Sequence, residues 1–285
     1  MRRRLLETVT AVTLSLSLLV GCGVSSTSSE SAENASAAQF EEEGGYTILK
    51  GITDLTPHSE IIEYAEPLLE EKGIKVELVS TAADSTTNEK LAAGEIDFNF
   101  FQHWPYLQEQ NEANGWDLVN AGNIHVEPIT AYSEKYNSVE EIPDGAVVAI
   151  PNDGTNEYRA LLILEQNGFI TLNDETANAL SATVNDIESY EKDIEIVELD
   201  SAQIIPTRAD YDFFITNTNK YLESGIEANL LFQEDQDSPY ANIIAVRSDE
   251  KDAEAIKTLV EVLQSEDVQN WIQDNYNGAV IPAVQ

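Results

Sequence analysis

The chain has 285 residues, of which 52 are Asp or Glu and 15 are Lys or Arg, and its formal charge is −37. Because a phosphate backbone is attracted by clustered basic side chains, this charge excludes nucleic acid as an ordinary partner and disfavours flat adsorption to anionic lipid. The length suffices for one large domain or two modest ones, and 24% charged with 8% aromatic residues is typical of a folded chain with a soluble acidic surface.

Residues 1–21 have the pattern of a secretory signal peptide. Arg residues at positions 2–4 precede an apolar run over residues 9–20, which is too short to span a bilayer as a helix. Cys22 follows, and because it is the only cysteine it has no disulfide partner within the chain. The pattern therefore predicts an exported chain.

The sequence Leu-Val-Gly-Cys at residues 19–22 resembles the lipobox of bacterial lipoproteins. The resemblance implies that Cys22 carries fatty-acyl chains such as palmitate and becomes the mature N-terminus. Residues 22–45 are rich in Ser, Ala and Glu without apolar periodicity, which predicts a flexible linker. We expect a folded part that stands off the extracytoplasmic face of a membrane on this tether.

Strand-like and helix-like segments alternate from residue 46 onward, which favours α/β layers around a largely parallel sheet. The first predicted strands cover residues 46–52, 74–80 and 96–101, and the first predicted helices cover residues 59–71, 88–93 and 106–114. A connecting strand is predicted at residues 129–133, after which the pattern restarts. The later strands are predicted at 147–150, 194–199, 213–216 and 241–247, and the later helices at 156–167, 252–264 and 266–276.

This order predicts an α/β fold with two lobes joined by strands. Residues 46–130 and 240–285 form the first lobe, which starts first and finishes last, and residues 131–239 form the second. A cleft between such lobes is a usual place for a small ligand, because two surfaces can close on it and exclude water.

No sequence pattern nominates a catalytic nucleophile, so an enzyme is not predicted, and no cofactor is predicted either. His58, His103 and His125 are the only histidines. With a carboxylate they could hold Zn²⁺ or Mn²⁺, but they lie in separate segments without close ligand spacing. Capture of a metal ion is therefore the weaker hypothesis.

Arginine is scarce beyond the leader, where only Arg159, Arg208 and Arg247 remain. In a field this negative a ligand carboxylate needs a local cation, and the planar guanidinium suits it because it can bind both oxygens. Arg159 is predicted in the first turn of a helix, where free backbone N–H groups add to an anion site. The alternative for Arg159 is a surface ion pair with Glu157 or another acid, and the other arginines are predicted to be structural.

The densest aromatic cluster runs from a predicted strand into a predicted helix, where side chains project into the cleft of α/β folds. Phe98 and Phe100 share one sheet face by their period-two spacing and are predicted to be core. Phe101, His103 and Tyr106 lie at the turn, and they are predicted to form an apolar wall with a polar tip.

Asn217 is the third contribution from a strand end, because it follows the predicted strand 213–216. We expect its amide in the cleft. An asparagine at this place can also simply cap or turn the chain.

Several blocks in the same order resemble the signature of the NlpA lipoprotein family, the substrate-binding proteins of methionine-type ABC importers. They are FQHxPYL at residues 101–107, GNxHxEP at 122–128, PNDxxNExRAL at 151–161 and DSPYxN at 237–242. The resemblance covers the chain from about residue 46 to its end.

The resemblance implies a two-lobed periplasmic-binding-protein fold of type II, with the ligand in the cleft. A monomer of this kind closes on an amino acid and presents it to a membrane permease with a cytoplasmic ATPase. By position, Phe101, His103 and Tyr106 would line the side-chain pocket. Asn156 and Arg159 would hold the ligand carboxylate, and the polar backbone end of the ligand would be bound by Asn217.

One departure bears on the ligand. Family members with methionine pockets resemble Asp-Tyr-x-x-Pro-Asn where residues 83–88 are Ala-Asp-Ser-Thr-Thr-Asn, so Asp84 stands in place of the tyrosine. A buried carboxylate facing a thioether would lose solvation without gaining a partner. Either Asp84 turns outward and the ligand is methionine, or it meets a positive or hydrogen-bonding group of a polar amino acid or short peptide. Tyr158, where the family commonly has glycine, is expected to refill part of the pocket.

Overall fold

The computed structural model describes residues 40–173, 182–235 and 238–283. The predicted signal peptide, Cys22 and most of the predicted linker lie outside these residues, as does Asp237 of the last signature block. Within the described ranges, no helix combines the length and the apolar character needed to cross a membrane.

The strands, in chain order, are β1 (Glu41–Glu43), β2 (Tyr46–Thr53), β3 (Ile74–Ser80), β4 (Phe98–Phe100), β5 (Val119–Val126), β6 (Thr130–Ser133), β7 (Ala146–Pro151), β8 (Ile170–Leu172), β9 (Ile187–Tyr190), β10 (Ile194–Leu199), β11 (Phe213–Thr216), β12 (Asn229–Gln233), β13 (Ala241–Val246) and β14 (Ile281–Pro282). The helices are α1 (His58–Glu71), α2 (Ser85–Ala92), α3 (Trp104–Asn114), α4 (Gly154–Gln166), α5 (Ser201–Thr207), α6 (Thr218–Ser224), α7 (Glu254–Leu263) and α8 (Glu266–Tyr276). Short 3-10 turns lie at Val139–Glu141, Val184–Asp186 and Arg208–Asp210.

The first sheet has the order β1-β2-β4-β13-β5-β14, with β3 also paired to β2. Strand β2 runs parallel to β3 and β4, whereas β13 runs antiparallel to both β4 and β5. The predicted largely parallel sheet was therefore wrong, and the sheet is mixed. The reason is that β5, which the sequence patterns did not predict, turns back along the sheet, and β13 pairs with it from the far end of the chain.

The second sheet has the order β10-β7-β11-β6-β12. Strands β10, β7 and β11 are parallel, and β6 and β12 add antiparallel pairs at one side. A separate two-stranded ladder joins β8 and β9. Helix α4 packs its apolar face on this second sheet through residues such as Leu161 and Leu164, both fully buried.

The first sheet carries its own core, because α1, α7 and α8 bury their apolar faces against it. Phe98 and Phe100 are fully buried there, as the period-two spacing predicts. The ring of Phe98 lies directly over Gly51 of β2 and leaves no room for a Cβ at that position. Glycine in the middle of β2 is thus required by the close approach of the ring.

The predicted linker extends too far. Residues Glu41–Glu43 form β1 and pair antiparallel with β2, with Glu42 opposite Thr47. Gly44 and Gly45 both have positive φ, at 61° and 90°, which is what a two-residue hairpin turn between such strands requires. The folded part therefore begins before residue 46.

Candidate ligand-binding site

A cavity of about 390 Å³ opens among the ends of β2, β4 and β11 and the starts of α2 to α6. All of the residues predicted to bind ligand lie on its lining: Asp84, Phe101, His103, Tyr106, Asn156, Arg159 and Asn217. The structure brings them together, and their part in binding stays a prediction. The lining also contains polar residues that the sequence patterns did not select, among them Asp54, Glu127, Asn219, Lys220 and Asn242.

Helix N-termini converge on this cavity. Asp84, His103, Asp153 and Asp200 are the N-cap residues of α2, α3, α4 and α5, and each side chain accepts a hydrogen bond from a backbone N–H of the first turn. The four N-cap side chains also lie on the cavity lining. Short polar residues at these positions favour helix starts, because they satisfy N–H groups that have no partner within the helix.

The anion site predicted from free N–H groups at the start of α4 was wrong in its detail. The helix begins at Gly154, so Arg159 is in the second turn. Asp153 accepts from the N–H of Asn156 at 3.0 Å, and the carboxylate of Glu109 lies close to Gly154. Two carboxylates of the protein thus lie at the first turn, where a ligand anion was expected.

Arg159 is only 1% exposed, and the acid that pairs with it is Glu234. The Nε–H and one Nη2–H donate to the two carboxylate oxygens, at 3.3 and 2.5 Å, and the other Nη2–H donates to the backbone oxygen of Glu127 at 2.9 Å. Arg159 does pair with another acid, as the alternative held, but the pair is buried and its acid is Glu234, so a surface position and Glu157 are wrong. The guanidinium also lies over the ring of Tyr240, 4.4 Å from its centroid.

Three N–H donors converge on the side-chain oxygen of Asn156. They are Nε2 of His103 at 3.2 Å, Nη1 of Arg159 at 3.2 Å and Nδ2 of Asn217 at 3.0 Å. Nδ1 of His103 accepts from the N–H of Tyr106, which places the imidazole proton on Nε2. Burial, with the nearby Arg159 charge, lowers the pKa of His103 to about 3, so the ring is neutral.

This arrangement fixes which way the Asn156 amide points. The opposite orientation would set its NH₂ group against three donors, and the Nδ2 atom instead donates to Asp153 at 2.9 Å. One N–H of Asn156 and one of Arg159 have no acceptor among the residues that the structure describes, because four of the five guanidinium donors are used by the protein. Arg159 thus has one hydrogen bond left for the cavity, whereas a two-pronged clamp was expected.

The aromatic wall forms at the turn after β4. The rings of Phe101 and Tyr106 meet edge to face at 6.3 Å, and His103 meets Tyr106 at 6.2 Å. Burial and the facing carboxylates of Asp153 and Glu109 raise the pKa of Tyr106, so its hydroxyl stays protonated. The three rings thus lie together on the cavity lining, and their role as the wall of a ligand pocket stays a prediction.

Asp84 is exposed at the rim of the cavity. Its Oδ1 accepts from the backbone N–H and the hydroxyl of Thr86, at 2.9 and 2.6 Å. This geometry agrees with the hypothesis that Asp84 turns outward. Tyr158 does not refill the pocket, because it is packed with Ala182 and Tyr240 in a separate buried cluster.

Buried charges join the two sheets at the other side of the cavity. Asp54, just after β2, is 2% exposed and accepts from Nζ of Lys220 at 2.7 Å and from Nδ2 of Asn219 at 2.8 Å, both on α6. It also accepts from the backbone N–H groups of Leu55 and Ala83. Burial acts to lower the pKa of Lys220, but the neighbouring carboxylates outweigh it and raise the pKa.

The histidines bear on the metal hypothesis. His58 and His125 meet at the carboxylate of Glu127, with Nε2–Oε1 distances of 3.4 and 2.7 Å, and all three are buried. His103 lies apart, against Asn156, so the convergence of three imidazoles that the metal hypothesis requires does not occur.

The donor set at Glu127 fits hydrogen bonds better than a metal ion. Burial lowers the pKa of His58 to about 4 and that of His125 to about 3, so both rings are neutral. Nδ1 of each ring has no partner in the described part of the chain. A metal on both Nε2 atoms would leave two buried Nδ1–H donors unsatisfied, whereas metal-binding histidines almost always donate that N–H.

Comparisons with known proteins identify the family of the chain. The chain is 38% identical over 235 residues to the methionine-binding lipoprotein MetQ of Bacillus subtilis, which covers 80% of this chain and 85% of that protein. It is 38% identical over 227 residues to the D-methionine-binding lipoprotein MetQ of Escherichia coli, with 78% and 83% covered. A nutrient-binding protein from Burkholderia cenocepacia, solved bound to methionine, superposes with a TM-score of 0.79 at 35% identity over 83% of this chain and all of that one.

A putative lipoprotein from Ruminococcus gnavus also superposes with a TM-score of 0.79, at 41% identity, and covers 83% of this chain and 99% of that one. The sequence model described as NlpA lipoprotein matches residues 51–284. The sheets, the helices and the cavity described above thus lie within the matched residues, apart from the N-terminal hairpin. The chain belongs to the NlpA lipoprotein family.

Proposed function

We propose that this protein is the substrate-binding lipoprotein of an ABC importer and that it captures methionine or a closely related amino acid. The observation that carries the proposal is one cavity in which an aromatic wall stands beside the N–H donors of Asn156 and Arg159. Its volume of about 390 Å³ lies in the range of small-molecule sites. The methionine named in the relatives and held by the Burkholderia protein supports the choice of ligand.

In this proposal the side chain of the ligand lies against Phe101 and Tyr106. The remaining N–H groups of Asn156 and Arg159 donate to its carboxylate, and His103 acts mainly by orienting Asn156. The amide oxygen of Asn217 accepts from the ligand ammonium, because its NH₂ group already donates to Asn156. Closure of residues 46–130 with 240–285 onto residues 131–239 excludes water from the ligand.

The remaining parts of the proposal concern the cell. Cys22 carries the lipid anchor that holds the protein at the extracytoplasmic face of the membrane. A membrane permease and its cytoplasmic ATPase take the ligand from it, and it acts as a monomer without catalysing a reaction. The lipoprotein names of the relatives support the anchor.

A polar amino acid or short peptide is the second candidate ligand. It is favoured by three acidic residues of the cavity lining, Asp84, Asp153 and Asp200. Asp84 is also exposed, so a cationic ligand group could reach it.

Binding should be tested on protein freed of co-purified ligand by unfolding and refolding. A panel of both methionine stereoisomers, polar amino acids, dipeptides, Zn²⁺ and Mn²⁺ is measured by thermal shift and calorimetry. We expect methionine to raise the melting temperature in step with RT ln(1+[L]/Kd). Stabilisation by Zn²⁺ while no amino acid or dipeptide acts would contradict the proposal.

The variant Asp84→Tyr decides between the two kinds of ligand. If Asp84 points away from the ligand, the variant keeps the ranking of ligands found for the wild type. A ranking that moves from polar ligands to methionine would show that Asp84 selects the ligand.

A further inference from the structure

The ion pair between Arg159 and Glu234 lies beside the cavity but only one of its members reaches it. Glu234 directly follows β12, is 7% exposed and is absent from the cavity lining, whereas Arg159 is on that lining. Within residues 40–173, 182–235 and 238–283, the one other donor to the carboxylate of Glu234 is the backbone N–H of Ile129, at 3.3 Å. Its charge is therefore matched by Arg159 alone among the described residues.

The second cation of the cavity is matched in the same way. Lys220 pairs with Asp54 at 2.7 Å. Glu127, Asp153 and Asp200 add further carboxylates to the lining. A ligand carboxylate thus enters a negative field in which each cation already has an internal partner.

We infer that Glu234 is an internal counter-ion that competes with the ligand carboxylate for Arg159 and so limits how tightly the carboxylate is held. The inference rests on the proposed function, since it concerns an amino-acid ligand in this cavity. Glu234 sets the affinity through Arg159 without touching the ligand, and it is a specificity-determining residue.

The direction of the effect follows from burial. A guanidinium without a counter-ion is costly in a buried place, and the free protein with a neutral residue at position 234 would carry that cost. A ligand carboxylate would then relieve it, so removal of the Glu234 charge strengthens the binding of carboxylate ligands. Removal of the Glu234 charge does not strengthen the binding of a ligand that has a neutral group in place of the carboxylate.

The chain offers a matched control in Arg247 and Glu250. Glu250 is 8% exposed and its carboxylate lies 2.6 Å from Nη2 of Arg247, so it is also a buried acid paired with an arginine. Neither residue lies on the cavity lining. Replacing Glu250 therefore reproduces the loss of a buried acid without acting on the ligand.

The experiment compares methionine with methioninamide, which differ in the carboxylate, at a pH where both amines are protonated. Dissociation constants of both ligands are measured by calorimetry for the wild type, Glu234→Gln and Glu250→Gln. In Glu234→Gln we expect methionine to bind about tenfold more tightly and methioninamide to change less than about threefold. We define the selectivity ratio as the dissociation constant of methioninamide divided by that of methionine. In Glu250→Gln this ratio should equal that of the wild type.

Melting of the ligand-free proteins completes the test. Both variants are expected to melt below the wild type, and methionine should recover more of the loss in Glu234→Gln than in Glu250→Gln. If Glu234→Gln does not fold, Glu234→Asp keeps the charge but is one methylene too short to contact both Nε and Nη2. That variant should raise the ratio in the same direction by a smaller factor.

A ratio that is unchanged or lower in the Glu234 variants overturns the inference, and so does an equal rise in Glu250→Gln. A wild type that binds neither methionine nor any other amino acid removes the proposed function and the inference together. If the wild type binds methionine but the Glu234 variants leave the ratio unchanged, the inference is wrong and the proposed function stands.

Discussion

At the scale of single residues, the sequence located Arg159 but not the residue that controls it. The scarcity of arginine in an acidic chain draws attention to Arg159, whereas Glu234 is one of 52 acidic residues and lies 75 positions away. The convergence of His103, Arg159 and Asn217 on Asn156 was equally out of reach, because it depends on three separate helix starts. Spacing along the chain carries no information about such contacts.

The structural and ligand-binding roles of Arg159 can be separated by a pair of variants. Arg159→Met leaves the Glu234 carboxylate buried without its cation and is expected to lower the free energy of unfolding by about 3–5 kcal/mol. The double variant Arg159→Met with Glu234→Leu replaces the pair by apolar groups and should recover most of that loss. Amino-acid binding should fall by about 2–5 kcal/mol in both variants.

For the two variants, urea titration measures the free energy of unfolding, and calorimetry measures the affinity for the amino acid. Recovery of ligand binding together with stability in the double variant would contradict a direct role of Arg159. Binding within about threefold of the wild type in either variant would contradict it as well.

At the scale of elements, the sequence patterns predicted some segments to the residue and missed others. The bounds of β3, β10, β11 and α8 agree with the sequence prediction. Helices α5 and α6 were missed, since each has about two turns and neither repeats its apolar spacing often enough to be seen. Both helices carry residues of the cavity lining, Ser201 on α5 and Lys220 on α6. Because the helices were missed, these residues were missing from the predicted site.

Glu157 on helix α4 lies near a second acidic residue, Glu198 on β10. Burial, together with the carboxylates of Glu198 and Asp153, raises the pKa of Glu157 to about 7, well above the ordinary value of an unfolded chain. Between the two values the folded state binds a proton that the unfolded state has released, so stability falls as the pH rises towards 7. Above that pH, the loss of stability caused by the buried Glu157 charge is complete.

The variant Glu157→Gln should remove this pH dependence, because it keeps a neutral side chain at every pH. We expect it to melt above the wild type at pH 8 and close to it at pH 5, which a pH series of thermal melts would show. Glu191→Gln serves as a control of opposite sign. The hydroxyls of Ser189 and Thr171 lower the pKa of Glu191, so its charge stabilises the fold at every pH above the ordinary value, and its replacement should lose about the same stability at pH 5 and at pH 8. A loss of stability at pH 8 in Glu157→Gln would contradict the argument.

At the scale of the whole molecule, the charge of −37 lies on a fold whose sheets and cavity could be foreseen only in part. Alternation of predicted elements indicated two lobes, and the signature blocks implied the family fold. The order and direction of the strands could not be predicted, because β13 pairs with β4 and β5 across more than a hundred residues of chain. Pairings of that range depend on how the sheets assemble and leave no local pattern.

The contacts of Asp54 have a consequence for folding kinetics. Its carboxylate contacts Lys220 of α6, 166 positions along the chain. Strand β2 belongs to the first sheet and α6 follows β11 of the second, so this contact can form only after both sheets exist. Contacts that are absent from the transition state affect the unfolding rate and leave the folding rate unchanged. In a stopped-flow chevron, Asp54→Asn should therefore raise the unfolding rate and leave the folding rate and the slopes of both arms unchanged. Slower refolding would instead show that the contact between Asp54 and α6 is among the first structures to form.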